Sequence, residues 1–281
     1  MANTDSVSSV RLEPRHLPGA LVLSAEAGWN QIEPDWLMMI KHGHAIGFED
    51  GKDGALVASA LALPVGARLA WISMVLVTAS HRRRGLAGRL VSDCLTWLGR
   101  RGSAAVLDAT AAGAEVYRPL GFEAVRRITR WLHPGQSVVV AAPQVELRPD
   151  DIGWIAPLDE AVSGIERLFV LADLLGRPKA VALGLLSRDG FALSREGRLA
   201  TLIGPLTAPT GEAAIVLLDA MLSRIRGPVF IDAYDDQADL TTHLEQLGFR
   251  RQRGFERMVR GKVESFGDTA RSFAAAGPEL G

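Results

Sequence analysis

The two halves of this 281-residue chain repeat one another. Short segments recur in the same order, at offsets that fall from 135 through 129 to 127 residues, as expected for two homologous domains that differ by a few deletions. The matching segments are Val10–Pro14 with Val145–Pro149, Val77–Ala79 with Leu206–Ala208, Leu120–Phe122 with Leu247–Phe249, and Arg130-Trp131 with Arg257-Met258. We therefore predict two copies of one fold, in residues 1–143 and 144–281, with a junction near Pro143.

The hydrophobic pattern within each copy changes between the period of a strand and that of a helix, which predicts a mixed α/β fold. Each copy is expected to be a twisted mixed sheet flanked by helices. In the first half the predicted strands are 10–13, 43–49, 54–63, 69–78, 104–108 and 122–132, and the predicted helices are 17–28, 34–41, 113–119 and one that begins at 86. In the second half we predict helices at 212–226 and 238–246, and strands at 228–233 and from 249.

Composition limits the functions that such a chain can have. The formal net charge is −1, which argues against a general nucleic-acid-binding protein. The single cysteine allows neither an intramolecular disulfide nor a cysteine-based zinc site, and we expect no metal. Apolar runs are too short to span a membrane. The polar segment Met1–Ser9 does not resemble a signal peptide, so we expect a cytoplasmic protein.

The charge is divided unevenly between the halves. Residues 1–143 carry 15 basic and 12 acidic side chains, and residues 144–281 carry 16 and 20. Ordinary scatter is one explanation. The alternative is that the first half handles an anion.

The segment from Val75 to Gly88 indicates where an anion would bind. A buried strand runs into a basic, glycine-containing loop that opens a helix. The first N–H groups of a helix have no partner within the helix and carry partial positive charge, so they favour phosphate oxygens. Gly85 and Ala87 keep side-chain bulk low, and Arg82, Arg83 and Arg84 add attraction. The alternative is a basic surface turn.

Two motifs in this order resemble the GCN5-related N-acetyltransferase (GNAT) superfamily. Arg82-x-x-Gly85-x-Ala87 resembles its Arg/Gln-x-x-Gly-x-Gly/Ala motif, and Val77 stands where the family has the last valine of its fourth strand. Tyr117 begins a segment that resembles the family's Tyr-x-x-x-Gly-Phe pattern. The resemblance covers residues 10–133 well, and residues 145–260 resemble a degenerate second copy, as in tandem members.

The resemblance implies an enzyme that transfers an acetyl group from acetyl-CoA to a primary amine in a ternary complex. In the family a bulge separates the fourth strand from the fifth, which frees backbone groups. Val75 would then donate near the acetyl oxygen, and Val77 would bond the pantetheine arm. The pyrophosphate would lie on the loop and helix start, at Arg82, Arg83, Arg84, Gly85, Leu86, Ala87 and Gly88.

The resemblance implies a general acid but leaves the general base open. Tyr117 matches the family's general acid, and an ordinary phenol is protonated at neutral pH. The usual glutamate base of the fourth strand is missing from residues 69–76. Asp108 is our first substitute, although it is equally read as a cap or turn former. Weaker candidates are Glu33, Asp35, Glu49, His42 and His44, and a water relay is as plausible as any single residue.

The acceptor side is expected between the first two helices. Trp29 and Asp35 lie there, and tandem members of the superfamily carry a similar Gly-Trp-Asn-Gln segment. These residues form either an acceptor wall or a lid packed on the sheet.

The second copy is expected to bind no acetyl-CoA. An offset of 129 places Gly211 opposite Arg82, and an offset of 127 places Leu244 opposite Tyr117, so both motifs are lost. Asp232, Asp235 and Asp236 follow a strand and form either a patch for a cationic acceptor or a polar loop. Residues 269–281 are small and apolar, and either pack as an extension or fray.

We therefore expect an N-acetyltransferase for a small-molecule amine, with neither nucleic acid nor membrane as a partner. A fused second copy can replace a dimer partner, so a monomer is favoured over a homo-oligomer. Two alternatives stay open: an acyl-CoA-binding sensor or scaffold without catalysis, and an acetyltransferase that acts on protein amines.

Overall fold

The computed structural model describes residues 7–135, 144–263 and 265–281. The chain forms two compact units, Met1–Val106 and Leu107–Gly281. Pro143, at the predicted junction, lies outside the described residues. No helix among the described residues is both long enough and apolar enough to cross a membrane.

The first repeat contains ten helices and strands in the predicted order, with ends within about three residues of the predictions. They are β1 (Val7–Arg11), α1 (Leu17–Glu26), α2 (Glu33–His42), β2 (His44–Asp50), β3 (Leu56–Pro64), β4 (Leu69–Val77), α3 (Leu86–Arg101), β5 (Ala104–Ala109), α4 (Ala111–Tyr117) and β6 (Glu123–His133).

The second repeat has the same order of elements, which confirms the duplication. Its elements are β7 (Val145–Glu146), α5 (Ile152–Ser163), α6 (Leu168–Gly176), β8 (Ala182–Gly184), β9 (Phe191–Arg195), β10 (Thr201–Thr207), α7 (Gly211–Arg224), β11 (Val229–Tyr234), α8 (Ala238–Gln246) and β12 (Arg250–Arg260). A final strand, β13 (Ser272–Ala274), has no counterpart in the first repeat.

In the first unit β1 to β4 form an antiparallel sheet, and the start of β5 adds to β4 in parallel. Residues of β3 and β4 are nearly all buried, as their apolar sequences predict. The predicted apolar face of α3 is buried at Leu86, Leu90, Val91, Cys94 and Leu98. Burial raises the pKa of the Cys94 thiol to about 12, so this cysteine is a core residue.

The second unit combines all of the second repeat with the end of the first. Its strands follow the order β12-β6-β11-β13-β10-β9-β8-β7, so β6 lies between two strands of the other repeat. The apolar face of α7 packs on this sheet through Leu217, Leu218 and Met221. The compact units therefore divide the chain at a different point from the repeats, because β6 pairs with β11 and β12.

Candidate functional site

The middle of β4 is bulged. Between Ser59 and Leu61 of β3 the register slips by one residue, and the extra residue on β4, Met74, has a positive φ of 52°. The buried Ser59 hydroxyl donates to the Met74 carbonyl oxygen at 2.8 Å, which holds the bulge in place. A bulge bends its strand and redirects the groups that follow it. Those groups belong to Val75 and Val77, which are only half-buried.

The pairing between β4 and β5 stops before the bulge at Met74. The parallel ladder joins Leu69 to Ala104, Ala70 to Ala105 and Trp71 to Val106, and it ends there. The backbone of Val75 and Val77 therefore lies beyond the last rung of that ladder. Val75 and Val77 thus take no part in the described ladder between β4 and β5.

The loop after β4 has the geometry of an anion site. Arg83 and Gly85 both have left-handed backbone conformations, with φ of 61° and 75°. Gly85 is the N-cap of α3, and no side chain caps the helix there. Successive N–H groups in a turn with left-handed residues can form an anion-binding concavity, and here the turn adjoins the first-turn N–H groups of the helix. A Cβ built on Gly85 or Gly88 would have no atom within 4 Å, so the space before the helix is open.

Glu26, at the end of α1, anchors the start of this loop and was missed by sequence reasoning. Its carboxylate accepts the Thr78 hydroxyl at 2.7 Å and the Ala79 N–H, and it lies 3.5 Å from the Arg82 guanidinium. The hydrogen bonds from Thr78 and Ala79 lower the pKa of Glu26. A helix-end glutamate with no sequence motif around it carries no signal of this role.

Two arginines of the loop also stabilise it. The Arg82 Nε donates to the Val77 carbonyl at 3.1 Å, and the Arg84 guanidinium donates to the Ser80 carbonyl at 2.8 Å. All three loop arginines are exposed. The open helix start, the left-handed backbone and the cationic loop fit a diphosphate group. The resemblance assigned the pyrophosphate of acetyl-CoA to these residues.

Tyr117 lies at the end of α4, in the second unit. Its ring is half-buried, 5.8 Å from the ring of Phe122, and a Cβ on Gly113 would approach it to 3.2 Å. The cap of α4 is Thr110, whose hydroxyl accepts the Gly113 N–H at 3.2 Å. Asp108 is therefore not the cap of this helix.

Asp108 forms a buried ion pair with Arg257 of β12. Both carboxylate oxygens accept from the guanidinium at 2.9 Å, and Arg257 also donates to the Tyr234 hydroxyl at 2.8 Å. Burial raises the pKa of the Asp108 carboxyl, and the Arg257 charge opposes that rise. Burial by itself would lower the pKa of the Arg257 guanidinium. The interactions with Asp108 and Tyr234 raise it by more, so the pKa of Arg257 is raised. The repeat pattern singles out Arg257, but it does not show that the partner of Arg257 is Asp108.

The three aspartates of the second repeat do not form an open acidic patch. Asp232 is fully buried and accepts two 2.7 Å hydrogen bonds from Arg130 of β6. Asp236 is paired with Arg126 at 2.8 Å, and Asp235 is exposed. Arginines of β6 thus neutralise two of the three carboxylates, which corrects the expectation of a cation-binding patch. Sequence could not show it, because β6 is far away along the chain.

The region between α1 and α2 is packed. Asp35 is buried and accepts the Ile32 N–H at 2.9 Å, so its carboxylate caps α2 instead of facing solvent as an acceptor group. Trp36 is fully buried, and its indole donates to the Ser24 hydroxyl at 2.8 Å. Trp29 is half-buried. Of the predicted acceptor pair, only Trp29 keeps partial exposure.

Of the weaker base candidates, His44 and Glu49 contact other side chains, and Glu33 and His42 are exposed. His44 stacks on Trp97 with ring centroids 4.8 Å apart. Burial lowers the pKa of His44, and the positive charge of Arg11 lowers it further. Glu49 lies 3.2 Å from His16. Glu33 is exposed in the first turn of α2, and His42 ends that helix.

Among the described residues, the second repeat has no counterpart of the long basic loop before α3. Only three residues separate β10 from α7, against eight between β4 and α3. At the helix start the offset is 125 residues, because Thr210 takes the place of Gly85, and this corrects the predicted 129. The Thr210 hydroxyl accepts the Ala213 N–H at 3.2 Å. A Cβ on Gly211 would lie 2.6 Å from the Asp239 carboxylate, so an acidic group occupies this helix start.

Comparison with known proteins agrees with this architecture. Residues 21–122 match a family model described as "Acetyltransferase (GNAT) family", and residues 155–274 match one described as "Acetyltransferase (GNAT) domain". The chain is 25% identical over 252 residues to the uncharacterized N-acetyltransferase YitH of Bacillus subtilis. The aligned region covers 86% of this chain and 87% of that protein.

Two solved structures are similar in fold. A candidate acetyltransferase from Pyrococcus horikoshii superposes with a TM-score of 0.85 at 17% identity, covering 100% of this chain and 99% of that one. A tandem GNAT protein from the clavulanic acid biosynthesis pathway superposes with a TM-score of 0.65 at 14% identity, covering 92% and 100%.

Proposed function

We propose that this chain, which belongs to the GCN5-related N-acetyltransferase superfamily and carries two copies of its domain, transfers an acetyl group from acetyl-CoA to a primary amine of a small molecule. The chain is an acyltransferase by family. The choice of acetyl-CoA rests on one observation above all. The bulged strand β4 is followed by an exposed arginine-containing loop that leads to the open, uncapped start of α3.

Each part of the first repeat then has a task. The backbone of residues 83–88 binds the two phosphates of the pyrophosphate, and Gly85 allows their close approach. Val77 supplies backbone hydrogen-bonding groups to the extended pantetheine arm. Val75, just past the bulge, directs its N–H to the acetyl oxygen. A donor of this kind typically contributes about 3 kcal/mol to catalysis, because it is already oriented before charge develops.

Acetyl-CoA, when bound, supplies an activated thioester. The protonated amine loses one proton before attack, and we assign this task to water. The nitrogen then forms a bond to the acetyl carbon and the carbon–sulfur bond breaks. We assign protonation of the departing sulfur to Tyr117, whose phenol can donate a proton at neutral pH and regains one from the second proton that the nitrogen loses. The Asp108 carboxylate has both oxygens committed to Arg257 and lies out of contact with solvent, so we propose that it holds the strand ends in position.

A transfer assay over a panel of small amines, amino acids and peptides tests this function. Acetyl transfer to small amines supports the proposal. Binding of CoA with no transfer to any amine would instead support the sensor alternative, and transfer to peptides alone would support a protein substrate.

Within that assay Tyr117→Phe is expected to lower kcat by about 100-fold, the usual contribution of a general acid. The Kd for CoA is expected to change by less than about threefold, because the ring contact with Phe122 is retained. An unchanged kcat would remove Tyr117 from the mechanism.

A further inference from the structure

The second repeat opens its sheet in the same way as the first. The parallel ladder between β10 and β11 runs from Thr201–Val229 to Ile203–Ile231 and ends there. The register between β10 and β9 slips at the same level, just after Ile203. Two diverging strands leave backbone N–H and C=O groups without partners, and such groups are costly when they are buried. In the second repeat these groups find partners within the chain.

The partners in this second cleft come from the end of the chain itself. Strand β13 lies between the diverging strands and pairs with both of them, Ala274 with Leu206 of β10 and with Ala233 of β11. The next residue, Ala275, donates its N–H to the Asp232 carbonyl at 2.9 Å. A Cβ on Gly204 would lie 1.9 Å from the Ala275 carbonyl oxygen, so only glycine allows this approach.

Side chains of the second unit hold the flanks of this segment. Gln237 donates to the carbonyls of Thr269 and Ser272 at 2.8 and 3.0 Å. On the far side the buried Arg195 pairs with the buried Glu279. Arg167, itself held by Asp159, donates to the backbone carbonyls of the last two residues. The segment is thus built in, and it does not fray.

We propose that residues 268–281 are an intramolecular occupant of the second cleft, in the position that corresponds to the pantetheine arm of acetyl-CoA in the first repeat. The pantetheine arm is an extended chain with two amide groups, and a β-strand offers the same hydrogen-bonding pattern. The first repeat leaves its cleft for the cosubstrate, whereas the second fills it with its own backbone. Acyl-CoA is thereby confined to the first repeat. The correspondence with pantetheine rests on the proposed function.

Peptide complementation tests the occupant. A chain that ends at Gly267 is expected to unfold at a lower temperature than the full chain and to bind a synthetic peptide of residues 268–281 in a 1:1 complex. Binding should restore the melting temperature. A peptide with Ala275→Pro lacks the N–H that bonds Asp232 and should bind at least tenfold more weakly. The matched control, Thr269→Pro, places proline at the exposed first position of a 3-10 turn, where it is tolerated.

A second form of the test keeps the whole chain during folding. A specific protease site inserted between Gly261 and Lys262 allows the loop to be cut after folding. The released segment is expected to stay with the body of the protein in gel filtration and to separate when Ala275→Pro is present. A segment that separates without that substitution, or a shortened chain that is folded by circular dichroism and still binds no peptide, would overturn the proposal.

The correspondence with pantetheine has its own measurement. S-acetylpantetheine has no phosphates, so the missing phosphate loop of the second repeat does not affect it. At millimolar concentration it is expected to displace the peptide from the shortened chain. No displacement would refute the correspondence. Absence of CoA binding by the full chain, with peptide binding retained, would instead refute the proposed function alone.

Discussion

Replacing Gly85 by aspartate is expected to abolish CoA binding without unfolding the protein. The new carboxylate enters the open space before α3, where it repels phosphate and takes up the free N–H groups of the helix. The second repeat already shows this arrangement at Thr210 and Asp239. We expect the Kd for CoA to rise at least 100-fold, which corresponds to about 2.8 kcal/mol. Isothermal titration calorimetry measures it.

The chain offers a matched control for this substitution. Gly102 ends the same helix, has a similar φ of 66°, and has no atom within 4 Å of its Cβ position. Gly102→Asp therefore introduces the same side chain with the same backbone strain at the opposite end of α3. It should leave the Kd for CoA nearly unchanged. Equal CoA binding by Gly85→Asp and the wild type would contradict the assigned phosphate site.

Arg257→Met is expected to lower the free energy of unfolding by several kcal/mol. It leaves the Asp108 carboxylate buried without a counter-charge, and breaking a buried pair from one side typically costs about 3–5 kcal/mol. The exposed Arg251 of the same strand pairs with Glu245 at the surface, so Arg251→Met should cost less than about 1 kcal/mol. Urea denaturation at neutral pH distinguishes the two.

The loss should depend on pH in a definite direction. Burial raises the pKa of Asp108, and removal of Arg257 takes away the charge that opposes the rise. A carboxyl with a raised pKa in the folded state contributes stability below its unfolded pKa and loses it as pH rises through the folded pKa. The variant should therefore be closest to the wild type in acid. The double variant Asp108→Leu with Arg257→Met should recover most of the stability, and a deficit independent of pH would contradict this assignment.

Local sequence predicted the helices and strands well, for physical reasons. Apolar periodicity determines which faces of α3 and α7 are buried, and the glycine at position 85 is needed for a left-handed backbone at an open helix start. These features depend on residues within one or two turns. The duplication supported the prediction of the helices and strands, because the same element order appears twice.

Long-range pairing could not be predicted in the same way. Asp108 of the first repeat pairs with Arg257 of the second, and Asp232 of the second pairs with Arg130 of the first. Both repeats have an aspartate on the same strand and an arginine on the last strand. The sequence pattern is therefore the same whether each arginine serves its own repeat or the other.

We expect one acetyl-CoA site per chain, in the first repeat. A crystal structure of the complex with acetyl-CoA tests it most directly. We predict one cosubstrate molecule, with its pyrophosphate on the backbone of residues 83–88 and its pantetheine arm beside Val75 and Val77, while β13 keeps its place between β10 and β11. A cosubstrate molecule in the second cleft with β13 displaced, or a pyrophosphate bound away from residues 83–88, would contradict it.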